Sequence, residues 1–157
     1  MENIFDIKMK IGFAADHGGY DLKEYLIKVL REKSYETIDF GNSKFEPNDD
    51  YPDYVVPLAK AISIGDVTRG IAICGSGVGV CIAANKISGV RACLIQEKFA
   101  AEQGVEDDDM NMLCLGGKTI TEEFALELIE IFLHSSFTAA ERHLRRLAKV
   151  NALDLKK

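Results

Sequence analysis

Short apolar runs alternate along the chain with longer segments whose apolar residues recur at helical spacing. The first run, Lys10–Ala15, ends at a polar, glycine-containing loop, Asp16–Gly19. The segment after this loop places Leu22, Leu26 and Val29 three or four positions apart, which is the spacing of one helix face. The pattern predicts a strand, a loop and a helix in this order.

The alternation continues to the end of the chain and predicts a series of strands and helices. The predicted strands cover residues 10–15, 37–40, 70–74, 90–95 and 110–115, and the predicted helices cover residues 22–30, 55–62, 80–85, 98–103, 121–133 and 139–150. Strands that alternate with helices form right-handed βαβ units, which place the strands side by side in a parallel sheet. The predicted fold is a single three-layer α/β/α domain with a five-stranded parallel sheet. Its C-terminal helix is the element expected to leave the body and pack on a partner subunit.

The composition fits one globular domain. The chain has 157 residues, of which 47% are hydrophobic and 28% are charged, and these values exclude disordered, collagen-like and disulfide-scaffold proteins. A formal net charge of −6 argues against a surface for nucleic acids or anionic membranes. An anionic ligand would therefore need a local basic pocket.

Neither a membrane span nor an export signal is predicted. No segment reaches about 18 uninterrupted apolar residues, and residues 1–8 lack the basic and apolar regions of a signal peptide. The sequence thus predicts a cytoplasmic protein that binds neither membranes nor nucleic acids.

Four cysteines lie in apolar segments: Cys74, Cys81, Cys93 and Cys114. They have no Cys-x-x-Cys or Cys/His spacing, which argues against a zinc site and against disulfides. Cys81, Cys93 and Cys114 are predicted to be core residues. Cys74 differs from them because a glycine-rich loop follows it directly.

A parallel sheet of this kind binds ligands beyond the carboxyl ends of its strands. We expect three features to meet there. They are the loop after the first strand, the loop Gly75–Gly79 after the third strand, and the segments on both sides of the fifth strand, Glu106–Asp109 and Gly116–Lys118. Their convergence predicts a ligand site at this edge.

The loop Gly75–Gly79 joins a strand to a helix and carries three glycines. Successive backbone N–H groups in such a loop bind an anion or an oxyanion. The spacing matches neither the Gly-x-Gly-x-x-Gly dinucleotide motif, because position 80 is valine, nor the phosphate loop of ATPases. The alternative is a tight turn that only connects the two elements.

Cys74 ends the strand that leads into this loop, so its sulfur is predicted to lie at the start of a helix. A thiolate at such a position can act as a base or as a nucleophile. The alternative interpretation is a small apolar residue of the core.

Two further groups of polar residues are candidates for ligand binding. Asp16 and His17 end the first strand, where they either bind a substrate hydroxyl, oxyanion or phosphate or cap the next helix. Arg142 and Arg146 lie four positions apart on the last helix, and either clamp a phosphate or form a solvated basic face.

The acidic run Glu106–Asp109 does not match a metal site. It lacks the glycine and the terminal glutamate of a calcium loop, and no histidine lies beside it in the sequence. We predict no metal here. A solvated turn, or carboxylates that bind sugar hydroxyls, are the favoured interpretations.

Six motifs follow one another over most of the chain. They are Asp16-His17-Gly-Gly-Tyr-Asp-Leu-Lys23, Asp50-Tyr-Pro-Asp-Tyr54, Gly70-Ile-Ala-Ile-Cys-Gly-Ser-Gly-Val-Gly79, Ala83-Ala-Asn-Lys86, Leu115-Gly-Gly117 and Arg142-His-Leu-Arg-Arg146. In this order they resemble the ribose-5-phosphate isomerase B family, which includes the galactose-6-phosphate isomerase subunits. The resemblance covers residues 9–150, so residues 1–8 are interpreted as an N-terminal extension and residues 151–157 as a tail.

The resemblance implies a Rossmann-like fold and a homodimer, which in some members pairs into a tetramer. It also implies an aldose–ketose isomerase of carbohydrate metabolism that uses no cofactor and no metal. Such an enzyme opens a cyclic sugar phosphate and moves a proton between neighbouring carbons through an enediolate. The implied pair is ribose 5-phosphate and ribulose 5-phosphate.

The resemblance further implies roles for the residues of the motifs. Cys74 is the implied base. The loop after it holds the enediolate oxygen through its backbone N–H groups and its serine hydroxyl, the residues being Gly75, Ser76, Gly77, Val78 and Gly79. Asp16 and His17 bind the sugar.

The phosphate end of the substrate has its own implied ligands. Arg142 and Arg146 bind the phosphate and reach into the site of the other subunit. Lys118 stands where the family often has an arginine and serves as a point charge.

One departure from the family lies just before the fifth strand. The family commonly has a His-Asn pair there, in which the histidine assists ring opening and the asparagine binds the sugar, whereas this chain has Asp107-Asp108. An aspartate is ordinarily ionised at neutral pH and has no proton to donate. Four explanations stay open: Asp107 is tuned for the role, His17 or Glu102 substitutes, the substrate differs, or the activity is low.

Other functions are compatible with parts of the pattern. A six-carbon substrate such as galactose 6-phosphate or allose 6-phosphate requires the same chemistry, and a non-catalytic homologue would bind a sugar phosphate without turnover. A receiver-like signalling domain or a nucleotide-binding module uses the same kind of sheet. A receiver, however, needs an acidic pair and an aspartate where this chain has Asp16-His17 and Cys74.

Overall fold

The computed structural model describes residues 8–154. Over this range five strands alternate with six helices, as the periodicity predicts. The elements are β1 (Lys10–Ala15), α1 (Tyr20–Glu32), β2 (Glu36–Asp39), α2 (Pro52–Ser63), β3 (Arg69–Cys74), α3 (Val78–Ala84), β4 (Ala92–Leu94), α4 (Lys98–Asp108), β5 (Met112–Gly116), α5 (Glu122–His134) and α6 (Glu141–Asn151). The predicted extension lies outside the described residues except for Lys8, and residues 155–157 of the predicted tail lie outside them as well.

The five strands form one parallel sheet with the order β2-β1-β3-β5-β4. The chain moves outward from β1 to β2 and then crosses to the other side of β1 to continue with β3. Strand order therefore reverses between β1 and β3, and a crevice for ligands is expected beyond the carboxyl ends of these two strands.

Helices cover both faces of the sheet, so the central strands are buried on both sides. In β3, Ile71 and Ile73 pack with α1, α4 and α5 on one face, while Ala72 and Cys74 pack with α2 and α3 on the other. This two-sided burial explains why the central strands are continuous apolar runs. The predicted Rossmann-like three-layer α/β/α fold is confirmed.

Helix α4 is longer than the periodicity predicts, because it continues from residue 103 to Asp108. Ala101 and Val105 are buried, and the helix packs against α5. Its end is formed by Asp109, which has a left-handed φ of 52° and whose carboxylate lies 2.9 Å from the guanidinium of Arg91. Asp107 and Asp108 therefore belong to the last turn of a helix and not to a solvated turn.

Two other expectations differ from the structure in part. Cys93, predicted as a core residue, is exposed, because β4 is a three-residue edge strand that pairs with β5 alone. Helix α6 packs against α4 of its own chain through the buried His143, but its Leu144 and Val150 stay half-exposed. No helix within residues 8–154 has the length and apolar character needed to cross a bilayer.

Candidate active site

The loops after β1, β3 and β5 meet at the carboxyl edge of the sheet. The N–H of Gly117 donates to the Cys74 carbonyl at 2.8 Å, and the N–H of Lys118 donates to the Gly75 carbonyl at 3.1 Å. The N–H of Asp16 donates to the carbonyl of Ile73, near the end of β3, at 3.4 Å. The stem of Lys118 runs beside the loop, since a Cβ built on Gly75 would lie 3.7 Å from Lys118 Cδ. The predicted convergence of these loops is therefore present.

Cys74 lies beneath the glycine loop, with 5% of its surface exposed. The N–H of Gly77 donates to Cys74 Sγ at 3.2 Å. Gly77 has a φ of 81°, and a Cβ there would lie 2.6 Å from Leu94 Cδ1 and 2.8 Å from the carbonyl carbon of Leu115. Only glycine fits this turn without strain, and the turn is what aims its N–H at the sulfur.

The rest of the loop opens towards solvent. Ser76 is exposed, and its Oγ accepts the N–H of Val78 at 3.3 Å. Gly79 lies under the ring of Tyr51, where a Cβ would come within 2.7 Å of Tyr51 Cζ. Tyr51 belongs to a motif of the sequence, but the residue pattern alone assigned it no place in the site.

Asp16 and His17 are also part of this edge. Asp16 is 6% exposed and its Oδ1 accepts the N–H of Gly18 at 2.8 Å. Burial raises the pKa of Asp16, and the Gly18 N–H offsets part of this effect. The interpretation of these side chains as a helix cap is wrong, because α1 begins at Tyr20, its N-cap residue is Gly19, and no side chain caps it.

Asp49 is a member of the site that the sequence analysis missed. Its Oδ1 accepts the backbone N–H of His17 at 2.9 Å and lies 2.8 Å from His17 Nδ1, while its Oδ2 accepts Asn42 Nδ2 at 2.9 Å. Burial raises the pKa of Asp49, but hydrogen bonds from His17, Tyr54 and Asn42 outweigh it and lower the pKa below its ordinary value. The loop around Asp49 has no periodicity, and its partner His17 is 32 positions away, so no local signal marks it.

Asp16, His17 and Asp49 offer three ligand atoms within 4.8 Å of one another. This is the spacing of a small metal site. The hydrogen bonds inside the group account for the proximity, since His17 Nδ1 and Asp49 Oδ1 bind each other directly.

The other predicted site residues form a second group on α4 and α6. Asp107 Oδ2 accepts Gln103 Nε2 at 2.8 Å, and its Oδ1 lies 3.2 Å from Nε2 of the buried His143. Arg142 Nε donates to His143 Nε2 at 3.1 Å, and His143 Nδ1 lies 2.8 Å from the hydroxyl of Thr138. Arg142 is exposed.

The place of this second group in the fold differs from the one expected. The acidic run Glu106–Asp109 was expected at the carboxyl edge, but it leads into the amino end of β5, and in a parallel sheet that end lies at the opposite edge. Asp108 and Arg146 are likewise exposed in this second group, and Glu102 lines a groove between α4 and α5. A single chain therefore does not join the arginines and Asp107 to Cys74.

Two other cysteines lie near the loop. The thiol of the fully buried Cys114 hydrogen-bonds Cys81 and lowers the pKa of Cys81 to about 6. Cys81 is half-buried on α3, and its Sγ lies 3.5 Å from the Ala92 carbonyl oxygen. Cys114 is a core residue as predicted, whereas Cys81 lies at the border of the core.

Comparison with known proteins bears on this site. Residues 11–150 match the family model described as Ribose/Galactose Isomerase. The chain is 38% identical over 147 residues to the probable ribose-5-phosphate isomerase B of Mycoplasma pneumoniae. The aligned region covers 94% of this chain and 96% of that protein. It is 36% identical over 145 residues to the ribose-5-phosphate isomerase B of Escherichia coli, covering 92% of this chain and 96% of the relative.

Solved structures agree with these relatives. The ribose-5-phosphate isomerase B of Clostridium thermocellum has a TM-score of 0.90 at 38% identity and covers 94% of this chain and 99% of its own. The enzyme of Mycoplasma genitalium with bound ribulose-5-phosphate has a TM-score of 0.89 at 35% identity, with coverages of 95% and 98%. The resemblance carried by the six motifs is confirmed, and the chain belongs to the ribose/galactose isomerase family.

Proposed function

We propose that the protein is an aldose–ketose isomerase that interconverts ribose 5-phosphate and ribulose 5-phosphate, with Cys74 as the base. The observation that carries this proposal is the position of Cys74 Sγ, buried beneath the glycine loop and 3.2 Å from the Gly77 N–H. The M. genitalium relative, whose structure holds ribulose-5-phosphate, supports the choice of substrate.

The proposed reaction moves one proton between two carbons. The Cys74 sulfur removes the proton from C2 of the open-chain aldose and returns it to C1, while a hydroxyl proton passes from O2 to O1. Negative charge develops on the enediolate oxygen between these steps. The Ser76 hydroxyl and the backbone N–H groups of Gly75–Gly79 stabilise that charge, since donors fixed in advance lower the barrier most.

The two ends of the substrate have different ligands in this proposal. Asp16 and His17 bind the sugar, Lys118 lies beside the loop as a positive charge, and Arg142 and Arg146 of a second chain bind the phosphate. A homodimer, alone or paired into a tetramer, would bring these arginines to the loop. The half-exposed apolar side chains of Val78 on α3 and Leu144 on α6 support a contact between chains at these helices.

Ring opening is assigned to Asp107 of the second chain, with Asp108 of that chain as a neighbouring sugar ligand. Asp107 is not an isolated carboxylate, because the imidazole of His143 lies 3.2 Å from its Oδ1. This contact between a carboxylate and an imidazole is the basis on which we assign the proton transfer of ring opening to Asp107.

The test is the rate of ribulose 5-phosphate formation from ribose 5-phosphate by the purified protein in the presence of EDTA. We expect turnover that EDTA leaves unchanged and that Cys74→Ala abolishes. Cys81→Ala and Cys93→Ala are the matched controls, because Cys81 has the lowered pKa and Cys93 is exposed. Unchanged activity in Cys74→Ala would exclude Cys74 as the base.

One observation favours a second candidate. Asp107-Asp108 replaces the His-Asn pair that the family pattern leads one to expect, which favours another sugar phosphate or binding without turnover. Galactose 6-phosphate and allose 6-phosphate are therefore assayed beside ribose 5-phosphate. Faster turnover of a six-carbon substrate would reassign the substrate, and thermal stabilisation by ribose 5-phosphate without turnover would indicate a binding protein.

A further inference from the structure

His17 is held at two of its atoms by one carboxylate oxygen. Asp49 Oδ1 lies 2.9 Å from the His17 backbone nitrogen and 2.8 Å from its Nδ1. The first contact fixes the main chain where β1 leaves the sheet, and the second fixes the rotation of the ring. The His17 side chain keeps 39% of its surface exposed, whereas that of Asp49 keeps 5%.

Asp49 is itself held by groups from two other segments. Asn42 donates Nδ2 to Asp49 Oδ2 at 2.9 Å, and the Tyr54 hydroxyl hydrogen-bonds the same carboxylate. Asn42 is 2% exposed, and among residues 8–154 its Oδ1 is a buried oxygen without a hydrogen-bond partner. Rotating the amide would turn Oδ1 against the Asp49 carboxylate, and two oxygens that only accept would then face each other. The orientation with an unpaired oxygen is kept because it gives Asp49 a donor.

These contacts determine which nitrogen of His17 carries a proton. The hydrogen bonds around Asp49 keep it ionised, and an ionised carboxylate only accepts hydrogen bonds. Nδ1 must therefore be the donor, and Nε2 is the ring nitrogen left for a ligand. A neutral Nε2 accepts a hydrogen bond from a sugar hydroxyl, and in the protonated ring it donates to a phosphate oxygen.

We propose that Asp49 is a positioning residue that holds His17 in its Nδ1–H form and presents Nε2 to the sugar phosphate. The identity of the ligand rests on the proposed function, but the tautomer of His17 does not. Asn42 and Tyr54 complete the arrangement by fixing Asp49.

Kinetics of Asp49→Asn test the effect on the substrate. The asparagine has the same shape but no charge, so His17 loses its preferred orientation. The contact of His17 with the substrate is then weakened equally in the ground state and in the transition state. We expect KM for ribose 5-phosphate to rise about tenfold, with kcat within about twofold of wild type. A fall in kcat at unchanged KM would overturn the proposal.

A swapped variant separates position from net charge. Asn42→Asp/Asp49→Asn keeps one carboxylate and one amide in the cluster but moves the charge away from the His17 ring. We expect KM to stay raised in this variant. Recovery of the wild-type KM would overturn the proposal, because a nearby negative charge would then suffice.

The tautomer is measured directly by nitrogen NMR of the histidine rings in the ligand-free protein. The chain has three histidines, and His17→Gln assigns the signals of His17. We expect a protonated Nδ1 and an unprotonated Nε2 in the neutral wild-type ring, and loss of this preference in Asp49→Asn. A wild-type His17 with its proton on Nε2 would overturn the proposal whether or not the protein is an isomerase or the variant folds.

Discussion

Asp107 Oδ1 and His143 Nε2 lie 3.2 Å apart, and the two side chains differ in accessibility, with 31% of Asp107 and 4% of His143 exposed. The carboxylate is thus the more accessible member of the pair, and the imidazole is the buried member. The hydroxyl of Thr138 lies 2.8 Å from Nδ1, the other nitrogen of the imidazole. At the scale of single residues, His143 thus places an imidazole beside position 107, although the residue at that position is an aspartate.

Asp107→Asn tests the assignment of ring opening. Ribose 5-phosphate must be opened before it reacts, whereas erythrose 4-phosphate is acyclic because the hydroxyl that would close its ring carries the phosphate. We expect the variant to lose about 100-fold of its turnover on ribose 5-phosphate and to keep its rate on erythrose 4-phosphate. Asp66→Asn, at an exposed and remote position, is the control. An equal loss on both substrates would assign Asp107 to binding instead.

We expect the free energy of unfolding to depend on pH through Asp49. Hydrogen bonds hold its pKa in the folded protein below the unfolded value, so its contribution is complete above the unfolded pKa and is lost as the pH falls through the folded pKa. We expect Asp49→Asn to lower the free energy of unfolding by about 1–3 kcal/mol at neutral pH. The difference from wild type should shrink below about pH 4.

Urea unfolding of both proteins between pH 7 and pH 3 provides the measurement. Asp16, whose pKa is raised by burial, has the opposite dependence, but both proteins contain it. The difference between them therefore reports mainly Asp49. A difference that does not change with pH would show that the carboxylate contributes only by its shape.

At the scale of elements, the strands and helices that the sequence predicts well are those that are buried. The central strands are predicted well because both of their faces are covered, and Ile71–Ile73 is apolar at every position. The last turns of α4 are missed because Gln103–Asp108 is largely polar and contains Gly104, and tertiary packing on α5 maintains the helix there. Asp49 is missed for a related reason, since only the folded chain brings it to His17.

The conformation of the glycine loop restricts which residues can stand at its positions. Gly77 has a φ of 81° and no room for a Cβ beside Leu94 and Leu115, whereas Gly65 has a φ of 83° and no heavy atom within 4 Å of a built Cβ. Gly77→Ala is expected to reduce stability by about 1–3 kcal/mol or more and to abolish turnover, because the N–H that faces Cys74 must move. Gly65→Ala suffers the same backbone strain without the collision.

Thermal unfolding and isomerase assays of both glycine variants check this expectation. Gly65→Ala should lose stability but keep its activity. If Gly77→Ala retained wild-type turnover, the loop would have no part in holding the enediolate and would be only a connection between β3 and α3.

At the scale of the whole molecule, the two groups of predicted site residues lie at opposite edges of one sheet. Cys74 belongs to the carboxyl edge, whereas Asp107 and the arginine pair belong to the region where α4 leads into the amino end of β5. Val78, Ile82 and Leu144 leave apolar surface uncovered on α3 and α6. The pattern of residues alone does not say which chain completes a site, and only the family resemblance implied that the arginines serve the other subunit.

A mixing experiment tests whether two chains share each site. Cys74→Ala lacks the base, and Arg142→Ala/Arg146→Ala lacks the phosphate ligands, so each variant alone should be nearly inactive. If the site combines Cys74 of one chain with the arginines of another, a mixed dimer contains one intact site and one site with both defects. Random exchange of equal amounts makes half of the dimers mixed, so activity should recover to about a quarter of wild type.

Recovery is measured after the two variants are unfolded together and refolded, with the separately refolded variants as controls. Size-exclusion chromatography with light scattering confirms that the mixture has the mass of the wild-type assembly. If each site lies within one chain, every chain in the mixture keeps its own defect and no activity returns. The fraction recovered therefore distinguishes a shared site from two independent ones, because it depends only on which chain supplies the arginines.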